Sequence, residues 1–319
     1  MHELIDTLFI KELGNDILRQ KKDSAIINIG NRRLAFTTDS YVVDPIFFPG
    51  GDIGSLAVYG TVNDLSVCGA KPLFISLGLI IEEGLEKETL ERVINSVRRA
   101  ARIAGVRVVT GDTKVVGKGS CDKIFVNTSG IGEVYYERLS VNEIRAGDSI
   151  IVSGPIGEHA ISVLSEREGL DFKTRVKSDS APLNNLIHSI LGVSRKVRFM
   201  RDPTRGGIGT TLNEIVAGRK FGISIDEKDL PARDGVRSAC ELLGLDPLYL
   251  ACEGRAVIAV GKEDEAKVLR AIRTHKDGRF AKTIGRATAD YKGKVYLNTV
   301  SGGKRIVDML TGEQLPRIC

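Results

Sequence analysis

The sequence predicts a chain of two α/β-type halves of similar size, and three observations point that way. Strand-like and helix-like runs alternate along most of the 319 residues. A turn at Arg145-Ala146-Gly147-Asp148-Ser149, followed by a fresh apolar run, divides the chain near residues 141–148. The composition, 42% hydrophobic and 27% charged, supplies ample core material, and this length suits two ordinary domains. No strict short repeat is visible.

The elements follow in order. Residues 26–29 and 34–38 are short β-type runs around Gly30-Asn31, a hairpin signal. Residues 54–68 carry Leu56, Val58, Val62, Leu65 and Val67 and read as a helix, with Gly50-Gly51-Asp52 in front as loop and N-cap. Residues 73–81 are a buried strand. Residues 87–104 form an amphipathic helix: Leu90, Val93, Ile94, Val97 and Ala101 share a face, and Gly105 ends it. Residues 106–110 are a strand leading to Gly111-Asp112-Thr113, and 123–132 are another. The second half repeats the style with a strand at 150–153, a glycine loop at 154–157 and a helix at 158–167. Helices at 208–217, 236–243 and 263–274 and a strand at 222–226 follow. Residues 302–319 hold few periodic positions.

Composition excludes several classes. The net charge is mild, 46 − 41 = +5, and basic residues come in twos and threes. With 5% aromatics and no Trp for base stacking, dedicated nucleic-acid binding is disfavoured. The longest apolar run, 73–81, is far short of the ~20 residues a membrane span needs. Met1-His2-Glu3 opens no secretory signal. The five Cys (68, 121, 240, 252, 319) are odd in number and show no C-x-x-C spacing, which reads as a reducing cytoplasm without disulfides or a zinc knuckle.

Three carboxylates stand beside the ends of apolar segments: Asp39, Asp64 and Asp112. Each alone is equally well a turn former or a helix cap. As a set, with Thr, Asn or Gly beside each, they favour a site for Mg²⁺ and a nucleotide, since Mg²⁺ takes carboxylates plus phosphate oxygens. Neither a P-loop nor G-x-G-x-x-G is present; residues 111–119 are a near miss with the wrong spacing. Gly50-Gly51 and Gly206-Gly207, ahead of helices, read as phosphate cradles or as tight turns. Lys114 reads as a charge stabiliser beside such a site or as a surface lysine. Glu253, in an apolar stretch before Gly254, reads as a proton-transfer group if buried, otherwise as a helix-end residue. Asp202-Pro203-Thr204-Arg205 offers an acid and a base at a helix start, or simple capping.

The C-terminus is the most unusual feature, a Cys as last residue on a Pro-containing tail. C-a-a-X prenylation needs three residues after the Cys and is excluded. An extended stretch from 312 to 319 reaches ~23 Å, enough to carry a sulfur into a cleft or to a partner. A frayed end that happens to stop at Cys is the bland alternative.

Together, Thr37-Thr38-Asp39-Ser40, Pro49-Gly50-Gly51-Asp52-Ile53-Gly54, Gly60-Thr61-Val62-Asn63-Asp64-Leu65, Gly69-Ala70-Lys71-Pro72, Val109-Thr110-Gly111-Asp112-Thr113-Lys114, Met200-Arg201-Asp202-Pro203-Thr204-Arg205-Gly206-Gly207, Asp246-Pro247-Leu248-Tyr249-Leu250 and the terminal Pro316-Arg317-Ile318-Cys319 resemble the HypE family. These are carbamoyl dehydratases of [NiFe]-hydrogenase maturation, in the superfamily of aminoimidazole ribonucleotide synthetase and selenophosphate synthetase. The resemblance runs over nearly the whole chain. It implies a PurM-like fold: an N-terminal α/β domain (1–140) that binds ATP and pairs with a second copy, an α+β domain (141–305), and a flexible tail (306–319).

It also implies the reaction. A carbamoyltransferase, HypF, loads the Cys319 thiol as an S-carboxamide; ATP phosphorylates the carboxamide oxygen; loss of phosphate and the amide proton leaves a thiocyanate. The cyanide then passes to iron on a HypC–HypD complex. By resemblance Asp39, Asp64 and Asp112 hold Mg²⁺ and nucleotide, with Asn63, Thr113, Asp202 and Arg205 assisting. Lys114 and Glu253 are charge stabiliser and proton acceptor, in an order left open. The family carries a Gly-rich segment ahead of the residues with which this sequence begins, so a glycine loop over ATP is expected to be missing and full activity reduced. The usual acidic pair before the first strand reads Lys22-Asp23, leaving Asp23 to help bind metal. Two other readings are a superfamily kinase or synthetase acting on a free small molecule, for which a terminal Cys has no use, and a non-enzymatic adaptor docking through its tail.

Overall fold

A computed structural model of the chain describes residues 4–170, 176–310, 312 and 315–319. Two sheets organise it. The first contains β1 (Ala25–Ile29), β2 (Arg32–Tyr41), β3 (Ala70–Glu82), β4 (Arg107–Val116) and β5 (Ile124–Val134), in the order β1-β2-β5-β3-β4. Every neighbouring pair is antiparallel except β3 and β4. A parallel pair needs a long crossover, which α2 (Lys87–Ala104) supplies. Gly105 closes that helix at φ 71°, a left-handed cap open to glycine. Helix α1 (Ile53–Val67) lies between α2 and the sheet, buried on nearly every side. Its entry is fixed by Asp52, whose carboxylate accepts from the backbone of Gly54 and Ser55.

The second sheet contains β6 (Ser149–Val152), β7 (Val197–Arg201), β8 (Gly222–Asp226), β9 (Val257–Val260), β10 (Lys282–Thr288), β11 (Val295–Asn298) and β12 (Lys304–Val307). Their order is β12-β11-β8-β10-β6-β9-β7. Helices α3 (Glu158–Glu168), α4 (Asn184–Val193), α5 (Gly207–Val216), α6 (Asp234–Leu243) and α7 (Glu265–Thr274) complete this half. The sheet is covered on both faces. Ile150 and Val152 of β6 pack with Leu212 and Ile215 of α5, while Ile151 between them packs with Ile187 of α4 and Ile272 of α7. That is why β6 runs Ile150-Ile151-Val152 without a polar residue between.

Another core joins the halves: Ile53 and Leu56 of α1, Ala160 and Ile161 of α3, Val236 of α6, and Ile318 of the tail. The end of the chain is therefore packed between the two sheets' helices.

The sequence expectations meet two departures. The strand expected at 106–110 runs on to Val116, because its parallel register with β3 continues to Glu82↔Val116. Asp112, Thr113 and Lys114 thus lie within a strand and not on the loop after it. Residues 304–307 pair with β11, so ordered sheet extends into the stretch assigned to the tail. The span from 312 to 319, taken as an extended reach, includes residues 313 and 314, which lie outside the described residues.

Candidate active site

Four acids meet where the two halves touch. Asp64 is near the end of α1, Asp23 precedes β1, and Asp202 follows β7; their carboxylate oxygens lie within 4.8 Å of one another. Asp39, on the core-facing side of β2, stands beside this triad, close enough for its carboxyl and that of Asp64 to shift each other's proton affinity. Thr37 Oγ1 donates to Asp64 Oδ2 at 2.7 Å, and Tyr41 Oη donates to Asp39 Oδ2 at 3.1 Å. Gly60 makes room for that tyrosine: a Cβ there would sit 2.1 Å from Tyr41 Oη.

Crowded carboxylates shift one another's proton affinity. Burial, then Asp39, Asp202 and Asp23, push Asp64 well above the usual carboxylate range. Burial followed by Asp23 and Asp39 pushes Asp202 up to about 8. Arg201 faces the cluster, bonding Asp23 at 2.7 Å, but it also binds Glu214 at 2.8 Å. An all-oxygen donor set with excess negative charge suits a hard divalent cation, so Asp23, Asp64 and Asp202 fit Mg²⁺.

The tail ends next to this cluster. Cys319 is half-buried, packed against the core that joins the halves, with Glu253, Arg205 and Asp39 close enough to act on its thiol electrostatically. Burial first, then Glu253, lifts the thiol to about 12. Glu253 is 2% exposed and its Oε1 has no hydrogen-bond partner. Burial, Asp202, Asp179 and Asp39 hold its carboxyl well above the ordinary range, while Arg205 opposes them. An unpartnered buried carboxyl oxygen beside a docked sulfur is a group kept for something that binds there.

Other expected residues lie elsewhere. Asp112 is 70% exposed and pairs with Lys114 at 2.9 Å. The register Asp112↔Gly78↔Asn127↔Ser40 runs across four strands. Asp112 is therefore three strand spacings, about 14 Å, from the Ser40 position, on the sheet face opposite Asp39. Within one chain Asp112, Thr113 and Lys114 do not join Asp39 and Asp64, and Lys114 does not reach Cys319. Asn63 is also displaced from the expected role. Its amide nitrogen donates to the Ala181 and Glu253 carbonyls at 3.1 and 3.2 Å, and its oxygen accepts from Leu183 N at 2.7 Å. With both amide atoms bonded, it ties α1 to the second half and carries the Glu253 backbone. The start of α1 is likewise occupied by Asp52, so Gly50-Gly51 is a turn and not a free phosphate cradle.

Sequence reasoning missed the supports. Asp179 accepts from the backbone of Glu253 and Gly254, at 3.3 and 3.4 Å. Arg255, nearly fully buried, binds Asp179 at 3.4 Å and Glu158 at 2.9 Å. Cys252 Sγ accepts from Gly157 N at 3.3 Å, joining the loop that carries Glu253 to the start of α3. A buried Arg between two acids leaves no local spacing signal; only the Glu253-Gly254-Arg255 run marks the place.

The comparisons with known proteins fit this geometry. Residues 21–134 match the AIR synthase related protein N-terminal domain, and 145–298 match its C-terminal domain. The carbamoyl dehydratase HypE of Azotobacter vinelandii is 47% identical over all of this chain and 94% of its own length. The chain belongs to the HypE carbamoyl dehydratase family. HypE of Escherichia coli K12 is 43% identical over all of this chain and 96% of its length. Among solved structures, HypE from a HypE–HypF complex aligns with a TM-score of 0.91 at 45% identity, over 96% of this chain and 99% of that one. HypE in complex with ATP aligns at 0.87 with 47% identity, over 100% and 96%. This HypE-family chain therefore has the two-domain, PurM-like α/β and α+β fold. Thiamine monophosphate kinase of Aquifex aeolicus, 21% identical with a TM-score of 0.69, shares the fold.

Proposed function

We propose that this chain is an ATP-dependent carbamoyl dehydratase whose substrate is the S-carboxamide on its own Cys319, converted to a thiocyanate for the cyanide ligand of [NiFe]-hydrogenase. The observation that carries it is the seat of the terminal sulfur between Arg205, Glu253 and Asp39, beside an acidic cluster. A kinase acting on a free small molecule would have no use for its own C-terminus in that position.

The residues divide the work. An amide oxygen is a poor leaving group, and the γ-phosphoryl of ATP is what converts it into phosphate. Asp23, Asp64 and Asp202 would hold Mg²⁺, which neutralises phosphate charge and offsets the carboxylates that raise Glu253. Two protons must leave the amide nitrogen on the way to a nitrile. Glu253, desolvated and with a free oxygen, is a strong proton acceptor once ionised. Arg205 sits at the sulfur and stabilises negative charge developing on the phosphorylated group.

The docked thiol explains why the tail must travel. A sulfhydryl raised to about 12 is not a thiolate at neutral pH, so it cannot attack a carbamoyl donor in this seat. Outside, freed of burial and of Glu253, it returns toward its ordinary value. Loading outside by a HypF-type carbamoyltransferase, dehydration inside, and delivery outside to a HypC–HypD-type acceptor form a consistent order. Asp112, Thr113 and Lys114 enter through a second copy of the chain: β4 is exposed along nearly all its length, with Val108, Val109 and Val115 bare. A long unpaired edge of this kind asks for cover, and a homodimer would bring Asp112 and Lys114 to the partner's nucleotide.

The test is a mass spectrum of the C-terminal peptide after loading by an active carbamoyltransferase and addition of MgATP, with Cys319→Ala alongside. Gain of one carbamoyl group on Cys319, then loss of one water only with ATP, is expected. An unmodified Cys319 in the presence of a proven active partner would overturn the reading.

A further inference from the structure

Helix α3 touches both ends of the chemistry. At its start, Gly157 N donates to Cys252 Sγ, and Ala160 N donates to the Ala251 carbonyl at 3.4 Å, which fixes the segment that ends in Glu253. Along its length it grips the tail. His159 Nε2 lies 2.8 Å from the Ile318 carbonyl oxygen and Nδ1 lies 2.8 Å from Ser178 Oγ. A carbonyl only accepts, so Nε2 carries the proton and Nδ1 accepts from Ser178.

Two turns further on, Arg167 spreads its guanidinium over three carbonyls. Its Nε donates to Asp44 O at 2.7 Å, on the body; Nη1 donates to Pro316 O at 2.8 Å and Nη2 to Arg317 O at 2.6 Å, on the tail. The fork thus joins a fixed loop to the moving segment with planar, charge-assisted bonds.

The bonded tail is also held away from its relaxed shape. Arg317 has φ 55°, in the left-handed region that a side chain rarely adopts. The carbonyl of that residue is the one that Arg167 Nη2 and Asp44 N both grip, the latter at 3.3 Å. All these grips are on main-chain carbonyls, so they act whatever group the sulfur carries. Ile318 adds apolar burial to the docked state, while the strained turn favours release.

From this we propose that Arg167, assisted by His159, is a positioning residue: a latch on α3 that sets the equilibrium between docked and released tail and aligns Cys319 with Glu253. It rests on the reading of Cys319 as the reacting group, and it goes beyond it in naming what holds that group. Neither residue touches the reacting atoms. The latch favours the dehydration step and opposes loading, because loading needs the tail released.

Two readouts separate the latch from the chemistry. The first is the alkylation rate of Cys319 by iodoacetamide in the nucleotide-free full chain, followed on the C-terminal peptide. Loss of two charge-assisted bonds in Arg167→Ala should raise this rate roughly 10- to 30-fold. The second is single-turnover dehydration of the loaded carboxamide with MgATP, which should slow by a similar factor while loading by the carbamoyltransferase is undiminished. Arg167→Lys, which keeps the charge but not the fork, should fall between. His159→Phe keeps ring volume and removes one grip, so it should shift both readouts in the same direction and serves as judge if Arg167→Ala does not fold. An unchanged alkylation rate in folded Arg167→Ala and His159→Phe would overturn the latch, whatever dehydration does. Failure of the parent to be carbamoylated would instead remove the function reading, and the alkylation arm would still decide whether α3 holds the tail.

Discussion

Asp202 shows how far a side chain's neighbours can move it. Its ordinary carboxylate value is about 3.9, and burial with Asp23 and Asp39 takes it up to about 8. A group whose folded value lies above its unfolded one contributes stability that is fully present below the unfolded value and lost as pH rises through the folded one. Asp64 and Glu253 are shifted in the same direction. His159 works in the opposite sense: burial lowers it from 6.5, so the neutral ring's contribution is intact above that pH and lost below. Between pH 6.5 and about 8 the carboxylates therefore dominate. The metal-free chain should melt at a lower temperature at the upper end of that window, and Mg²⁺ should raise the melting temperature more there than at pH 6.5. A Mg²⁺ effect independent of pH would mean that these carboxylates are not the ligands. Glu253→Gln keeps shape but removes proton acceptance. It should leave carbamoyl loading intact and slow single-turnover dehydration by roughly 10²-fold or more; parental dehydration in this variant would take Glu253 out of the reaction.

At the scale of elements, α1 is where the sequence was most legible and also where one of its residues misled. The helix and its cap are written in Asp52 and the apolar spacing, and α2 is written in its amphipathic face. Asp64 faces the acidic cluster, whereas Asn63 beside it turns to the second half. Adjacent residues on a helix point about 100° apart, so one motif can serve two different faces. β4 was misread at its end because Gly111-Asp112-Thr113-Lys114 has a loop's composition; parallel pairing with β3 keeps it extended, and such pairing leaves no local pattern. Elements of the second half that had no clear turn signals, such as α4 and β9, escaped although their apolar residues were visible. The Arg255 network and the grip of α3 on the tail come from residues far apart in the chain, which no spacing can announce. Gly60 gives a test at this scale. A Cβ there would collide with Tyr41 Oη at 2.1 Å, and that hydroxyl supports Asp39. Gly60→Ala should destabilise the chain by about 1–3 kcal/mol and weaken Mg²⁺-dependent nucleotide binding. An unchanged urea midpoint would show that Tyr41 moves freely, contrary to its buried position.

For the whole molecule, Asp112 and Lys114 could serve the proposed site only from a second copy of the chain, since they do not reach it within their own. One face of the first sheet leaves Phe36, Ile80 and Ile131 about 40% exposed, and β4 adds its bare valines along a free edge. Those surfaces are continuous through the register that links β2, β5, β3 and β4. A second copy laid on them would bury apolar area and satisfy the edge, and two-fold pairing would make the exchange mutual. Each of the two sites would then take Asp23, Asp64, Asp202, Glu253 and Cys319 from one chain and Asp112 and Lys114 from the other. Such sharing has a consequence that no single-chain site can imitate. Lys114→Ala and Glu253→Gln should each slow dehydration severely in their own homodimers. A mixed dimer, co-expressed with two tags and purified through both, collects both substitutions in one site and leaves the other with a full set of residues. It should regain about half the parental activity per dimer, as mutual two-fold sharing requires. If both functions came from one chain, each site of the mixed dimer would carry one defect and the preparation would stay severely slowed. Dehydration by the mixed dimer, read on the Cys319 peptide, thus decides whether the exposed edge is part of the active site.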